Sequence, residues 1–252
     1  MPFDLDRIQK STRNVRKFLR KNPRRPSSED IHDLRTSTRT LETAFETLGL
    51  DQKRSVRRLI QEMNNLRKRA GKVRDMDVLT EDALTVKQDG EQACHVKLVE
   101  HLGSKRIKYA KKLRRDIRAE SDNLGSDLKR SGARLEKLLR KAEKNADSSL
   151  GPAAMARVIQ LSLELQKPTR LTRNNLHPYR LKVKELRNVL QMSEKPGDPG
   201  FLQKLGEVKD AIGEWHDWEE LILIATDLLA HGGSCKLLQQ FKSTSDSRFE
   251  QA

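Results

Sequence analysis

Two short stretches of this chain carry residue types and spacings that could do chemistry. In the first, His32 is followed by Arg35 and Arg39; in the second, His177 is followed by Arg180, Lys184 and Arg187. On a helix, side chains at i, i+3 and i+7 fall within roughly one sixth of a turn of one another. Leu34, Leu41, Phe45 and Leu48 project from the opposite side of the first helix, and Val183, Leu186 and Leu190 from that of the second. Each helix therefore buries one stripe and presents a row of cations that begins with a histidine. Imidazole and guanidinium donors beside the free amides of a first helical turn suit an anion. Taken alone, each histidine reads as a surface or capping residue. Each row alone reads as a solvated face, in which Glu42 and Glu46 supply intrahelical pairs. Repetition 145 residues later, with His177 over His32, favours two halves of one anion site.

A second pair of stretches repeats in the same order. Gly71, Arg74 and Asp75 lie over Gly213, His216 and Asp217 at an offset of 142 residues, which also sets Arg67 over Lys209. Two motifs in one order at nearly one offset mark an internal duplication. Arg67 shares a helix face with Arg74, and Lys209 with His216, so these four join the candidate ligands. His216 stands where the first half has Arg74, and its charge depends on pH. Asp75 and Asp217 are expected to orient these cations or to cap a helix broken at the glycine. Lys182 points to another side of its helix. Trp215 and Trp218 are expected to anchor the core between the halves and not to stack on bases.

The elements that must position these residues are helices. Apolar spacing predicts helices over 4–21, 29–48, 52–87 with an interruption near Gly71, 91–121 and 126–145. Between the last two, Asn123-Leu124-Gly125 reads as a break. Helices are predicted again over 153–167, from His177-Pro178 onward, over 201–230 and in a short terminal segment, 234–242, with the last ten residues frayed. Turn signals stand at Asp89-Gly90, Pro196-Gly197-Asp198-Pro199-Gly200 and His231-Gly232-Gly233. Ser148-Ser149-Leu150-Gly151-Pro152 divides a first repeat, 1–150, from a second, 151–252.

Composition agrees with that class. The chain has 252 residues, 35% of them hydrophobic, 35% charged and 4% aromatic, with no β-branched run at period two. Helical spacing of the apolar residues favours charged amphipathic helices over disorder. The expected fold is all-α. A net charge of +15 implies a polyanionic partner: nucleic acid, polyphosphate, a phosphorylated ligand or an anionic membrane surface. Two segments carry much of the excess. Nine Lys and Arg with no acid lie between Arg7 and Arg25, and eight against one acid between Lys105 and Arg118. Cys94 and Cys235 have no metal-type spacing and read as reduced residues of a cytoplasmic protein. No apolar run reaches membrane length, and the first helix lacks a signal peptide's apolar segment.

The His-x-x-Arg-x-x-x-Arg/Lys helix, followed by a Gly-x-x-Arg-Asp-x-Asp-type helix and then by both again, resembles the CHAD domain, the conserved histidine α-helical domain. The resemblance spans roughly residues 3–242. It implies two four-helix bundles related by a pseudo-twofold axis, enclosing a basic cavity or pore that binds inorganic polyphosphate, in some members at polyphosphate granules. The chain departs from that pattern where Thr40 and Glu42 replace further arginines, so the first half is expected to be the weaker part of the site.

The expectation is therefore a non-enzymatic polyphosphate-binding protein without cofactor, with ligands His32, Arg35, Arg39, Arg67, Arg74, His177, Arg180, Lys184, Arg187, Lys209 and His216. The alternative is a basic helical protein that binds nucleic acid, which the charge permits but scarce aromatics and the lack of a reading motif disfavour. A divalent-metal protein or phosphohydrolase would need carboxylate or histidine clusters that the cationic faces lack.

Overall fold

The computed structural model describes residues 4–86, 92–144, 150–192, 198–229 and 235–252. Among the described residues there are eight α-helices and no strand. In chain order they are α1 (Leu5–Lys21), α2 (Ser28–Thr47), α3 (Arg54–Thr85), α4 (Gln92–Lys144), α5 (Leu150–Gln166), α6 (Leu176–Leu190), α7 (Pro199–Leu229) and α8 (Lys236–Gln251), with a short 3-10 turn at Leu50–Gln52. The turn signals at Asp89-Gly90, Ser148-Ser149, Pro196-Gly197 and His231-Gly232-Gly233 lie outside the described residues. None of the described helices is long and apolar enough to cross a membrane.

Local chemistry sets the helix starts. Asp4 accepts a hydrogen bond from the Arg7 amide at 2.8 Å, and Asn22, at φ 35°, ends α1 in the left-handed conformation. Ser27 Oγ accepts from the Asp30 amide at 3.0 Å while Asp30 accepts from the Ser27 amide at 3.1 Å. That reciprocal pair satisfies two orphan donors and starts α2 one residue earlier than the pattern suggested.

Three expectations about helix ends are corrected. α3 runs unbroken through Gly71, and α4 runs unbroken through Asn123-Leu124-Gly125 for 53 residues, about 80 Å. An interior glycine costs a helix only about 1 kcal/mol. Burial of Val73 and Met76 in α3, and of Leu124 and Leu128 in α4, outweighs it. The terminal helix extends to Gln251 instead of fraying after residue 242. Phe249 holds it there: its ring packs 5.8 Å from that of Trp215, under the Arg173 guanidinium at 4.6 Å.

Sequential helices are neighbours in the same order in both parts of the chain: α1 on α2, α2 on α3, α3 on α4, then α5 on α6, α6 on α7, α7 on α8. α3 packs across on α7, and α2 on α6. One apolar core lies under α1 to α4, around Leu41, Phe45, Leu59 and Leu113. Smaller ones hold α5 to α7, around Val183, Leu186, Ile212 and Trp215. A further core joins the two parts: Met76 and Leu79 of α3, Leu98 and Leu102 of α4, Trp218 and Leu221 of α7, and Phe241 of α8. Trp218 is thus an anchor between the parts, as expected, whereas Trp215 packs within the second. Packing across the middle brings the histidine helices α2 and α6 side by side, with α3 and α7 flanking them.

Candidate anion-binding site

A cavity of about 530 Å³ opens where α2, α3, α6 and α7 meet. Its walls carry His32, Arg35 and Arg39 from α2, Arg67 and Arg74 from α3, Arg180, Lys184 and Arg187 from α6, and Lys209 from α7. These are nine of the eleven candidate ligands, drawn from four helices more than 170 residues apart at the extremes. Arg7, from α1, adds a cation that sequence reasoning did not single out. Only its place in the unbroken basic run from Arg7 to Arg25 hinted at it. It donates to the Gln191 carbonyl at 2.6 Å and to Gln191 Oε1 at 3.1 Å.

The two glycines explain how the arginines are held. Arg35 Nη1 donates to the Arg67 carbonyl at 3.4 Å, and Arg180 Nε donates to the Lys209 carbonyl at 3.1 Å. Each carbonyl lies four residues before a glycine, Gly71 or Gly213, and so already accepts that glycine's amide within the helix. The carbonyl's second lone pair takes the guanidinium. The arginine must then lie flat over the glycine: a Cβ on Gly71 would overlap Arg35 Nη1, and one on Gly213 would overlap Arg180 Nη2. These residues are notches in continuous helices, not breaks. Arg187 repeats the device more loosely, donating to the Leu202 carbonyl at 3.4 Å over Gly206, where a Cβ would sit 3.5 Å from Arg187 Nε.

The equivalent of Arg187 in the first half is Glu42, and the equivalent of Gly206 is Asn64. Glu42 is buried, accepts from Asn64 Nδ2 at 2.6 Å and pairs with Arg67, which also bonds Asn64. One cation of the first half is thus neutralised by its own wall. Arg74 donates to Ser28 Oγ at 2.6 Å, and Lys209 pairs with Asp210. Among the described residues no carboxylate makes an ion pair with Arg39, Arg180, Lys184 or Arg187.

Burial and mutual repulsion show in the proton affinities. Lys184 is lowered to about 7, first by burial and then by Arg39, Arg180, Arg35 and Lys209. Arg39 is lowered to about 10 by burial and Arg67, with Glu42 opposing. Arg35 is lowered by burial, with Asp75 beside it acting the other way. Asp75 is itself raised to about 6 by burial, against the pull of Arg35. A site in which the cations depress one another is electrostatically incomplete without an anion.

The CHAD domain profile matches residues 5–226. The chain belongs to the CHAD family. The match stops short of α8. Among curated proteins nothing matches. Among solved structures, PptA from Streptomyces chartreusis is similar at a TM-score of 0.64 and 15% identity, over 99% of this chain and 96% of that one. At that identity the likeness speaks for the fold.

In this CHAD chain the histidines divide. His32 stands exposed at the cavity wall, its Nε2 3.5 Å from Thr36 Oγ1. His177 and His216 lie off the lining and stack on each other, ring centroids 4.5 Å apart. His216 is raised by Asp217, whose carboxylate stands 3.7 Å from its Nδ1, while His177 is lowered by burial, His216 and Arg180. Asp75 and Asp217 both face the cavity, beside Arg35 and His216 respectively. That fits orientation of the basic groups; a capping role has no broken helix to serve. Lys182 points away and pairs with Glu164 at 3.2 Å.

Proposed function

We propose that this protein binds inorganic polyphosphate without turning it over, in the cationic cavity between two helical halves, 1–150 and 151–252, related by a pseudo-twofold axis. The observation that carries the reading is the set of half-buried cations Arg39, Arg180, Lys184 and Arg187, which among the described residues make no ion pair with a carboxylate, with Lys184 repelled by Arg39 and Arg180. A polyphosphate chain offers only anionic oxygens, and a lane of guanidinium and ammonium groups recognises little else. Membership of the CHAD family supports the same ligand. The matched placement of Arg35 over Gly71 and of Arg180 over Gly213 supports the pseudo-symmetry. Glu42 makes the first half the weaker contributor.

Nucleic acid is the reading to exclude. Among the described residues no aromatic ring other than that of His32 lines the cavity on which a base could stack, and about 530 Å³ leaves no room for a duplex. Long-chain polyphosphate is expected to outcompete single- and double-stranded DNA at about 0.15 M salt and again at several-fold higher salt. Equal affinity for all three would overturn the assignment. Release of orthophosphate on adding magnesium would overturn the absence of turnover.

Lys184 makes binding depend on pH. With its ammonium lowered to about 7, most of the free protein carries it neutral at pH 8. An arriving polyanion raises it, so binding takes up a proton and affinity falls as pH climbs above about 7. Folding shows the same group from the other side. The folded value lies below the unfolded one of about 10.5, so the cost of charging Lys184 is full below about 7 and relieved as pH rises. Calorimetric titrations at pH 8 in buffers of different ionisation enthalpy are expected to show proton uptake that Lys184→Met reduces. Equal uptake in parent and variant would remove Lys184 from the site.

A further inference from the structure

The two basic runs of the sequence do not end at the central cavity. Arg24 and Arg25, from the connection between α1 and α2, face Arg106, Lys111, Arg114 and Arg118 of α4 across a groove of about 720 Å³. Arg115 and the apolar surface of Ile107 and Ala110 add to the lining, and among the described residues no acid enters it. Lys111, Arg114 and Arg118 recur at helical spacing, so they form a stripe about 10 Å long on one face of α4. All three are exposed, as are Arg24 and Arg25, and among the described residues none of the five makes an ion pair. Arg106 and Arg115 each have a carboxylate partner, Asp77 and Asp116, and the five other like charges held together without one make this groove an anion-attracting surface.

This groove touches the cavity at the start of α2. Arg106 of the groove pairs with Asp77 and donates to the Pro26 carbonyl at 3.0 Å. Arg74 of the cavity, one turn away on α3, donates to Ser28 Oγ at 2.6 Å. Pro26 and Ser28 are two residues apart, at most about 7.6 Å between Cα atoms. The exposed Ser27 between them opens α2, whose first turn carries Glu29 and Asp30, the latter held in the cap by the Ser27 amide, so the crossing is short and the cations stand on either side of it.

We propose that the groove is a second subsite for the same polyanion, reached over the α2 start, so that a long polyphosphate chain occupies cavity and groove together. The proposal rests on the cavity being a polyphosphate site. A short chain fills the cavity alone. A long one gains the groove contacts as an intramolecular step, at high effective concentration. The protein thereby selects for chain length. The floor at Ile107 and Ala110 is apolar and carries no groups to read a base.

The test compares tripolyphosphate with a long-chain fraction. Reversing the stripe as Lys111→Glu, Arg114→Glu and Arg118→Glu is expected to raise the long-chain Kd about tenfold or more at physiological salt and to flatten its salt dependence. Tripolyphosphate binding should stay within about twofold. A control of equal charge, Arg134→Glu, Lys137→Glu and Lys141→Glu, reverses exposed positions on α4 that begin about 24 Å beyond Arg118. It should leave the ratio of the two affinities near that of the parent. Equal losses for both ligands, no loss for either, or the same change in the control would overturn the second subsite. Loss of duplex DNA binding with long-chain polyphosphate unaffected would also overturn it. Arg180→Glu separates the two readings: it should abolish tripolyphosphate binding if the cavity is the site. If Arg180→Glu leaves tripolyphosphate binding intact, the cavity reading fails, and with it the extension.

Discussion

Arg180→Glu is expected to weaken long-chain polyphosphate binding about a hundredfold or more while leaving helicity and melting temperature near those of the parent. The arginine is held on the wall by a charged hydrogen bond to the Lys209 carbonyl and projects among Arg35, Lys184 and Lys209 without a carboxylate partner. A charged hydrogen bond is worth about 1.5–3 kcal/mol, and each 1.4 kcal/mol or so is tenfold in affinity. Placing a carboxylate there removes one such contact and adds repulsion against every phosphate that enters. The fold should tolerate the exchange, because the new anion faces cations that now repel one another. Titration of long-chain polyphosphate together with a circular dichroism melt decides it. Unchanged affinity would remove α6 from the site.

The second large effect comes from a substitution that adds one methyl group. Gly213→Ala should lower polyphosphate affinity about tenfold or more while the melting temperature holds or rises. A Cβ there overlaps the Arg180 guanidinium, and its nearest approach to Nε, 3.1 Å, leaves the side chain no flat path across the helix. Arg180 must swing away, losing the Lys209 carbonyl and its aim into the cavity, a loss of about 1.5 kcal/mol or more. Alanine meanwhile suits a helix interior better than glycine by about 1 kcal/mol. The two effects have opposite signs, which makes the experiment discriminating. A glycine needed only for helix bending would give an alanine variant that binds as before. Gly206→Ala is the milder comparison, because the same atom there would meet Arg187 at ordinary van der Waals distance.

Much of this was legible without coordinates. Helical periodicity put His32, Arg35 and Arg39 opposite Leu34, Leu41 and Phe45, and those three apolar residues are fully buried. The repeat paired Gly71 with Gly213 and Arg67 with Lys209, and each member of those pairs occupies the matching place in the structure. Lys182 was set apart by its angle on the helix and does pair elsewhere, with Glu164. Misreadings arose where a local signal was weaker than a long-range one. Gly71 and the Asn123-Leu124-Gly125 stretch look like helix ends because glycine is a poor helix former, yet buried neighbours on other helices keep both helices continuous. The terminal ten residues look polar, yet Phe249 has Trp215 and Arg173 to pack against.

The sequence by itself determined an all-α chain, a duplicated order of motifs, a heavy positive charge and the helix faces on which the cations stand. These follow from spacing along one helix, which obeys a fixed period whatever surrounds it. Only the tertiary structure decided which faces meet. It brought α2 against α6, added Arg7, withdrew His177 and His216 from the lining, and turned the supposed helix break at Gly71 into a seat for Arg35, matched by Gly213 under Arg180. It also set the lowered proton affinity of Lys184, since that depends on burial and on cations from α2 and α7. The physical reason is that a charge acts through the space around it, and its neighbours in this space are far away along the chain.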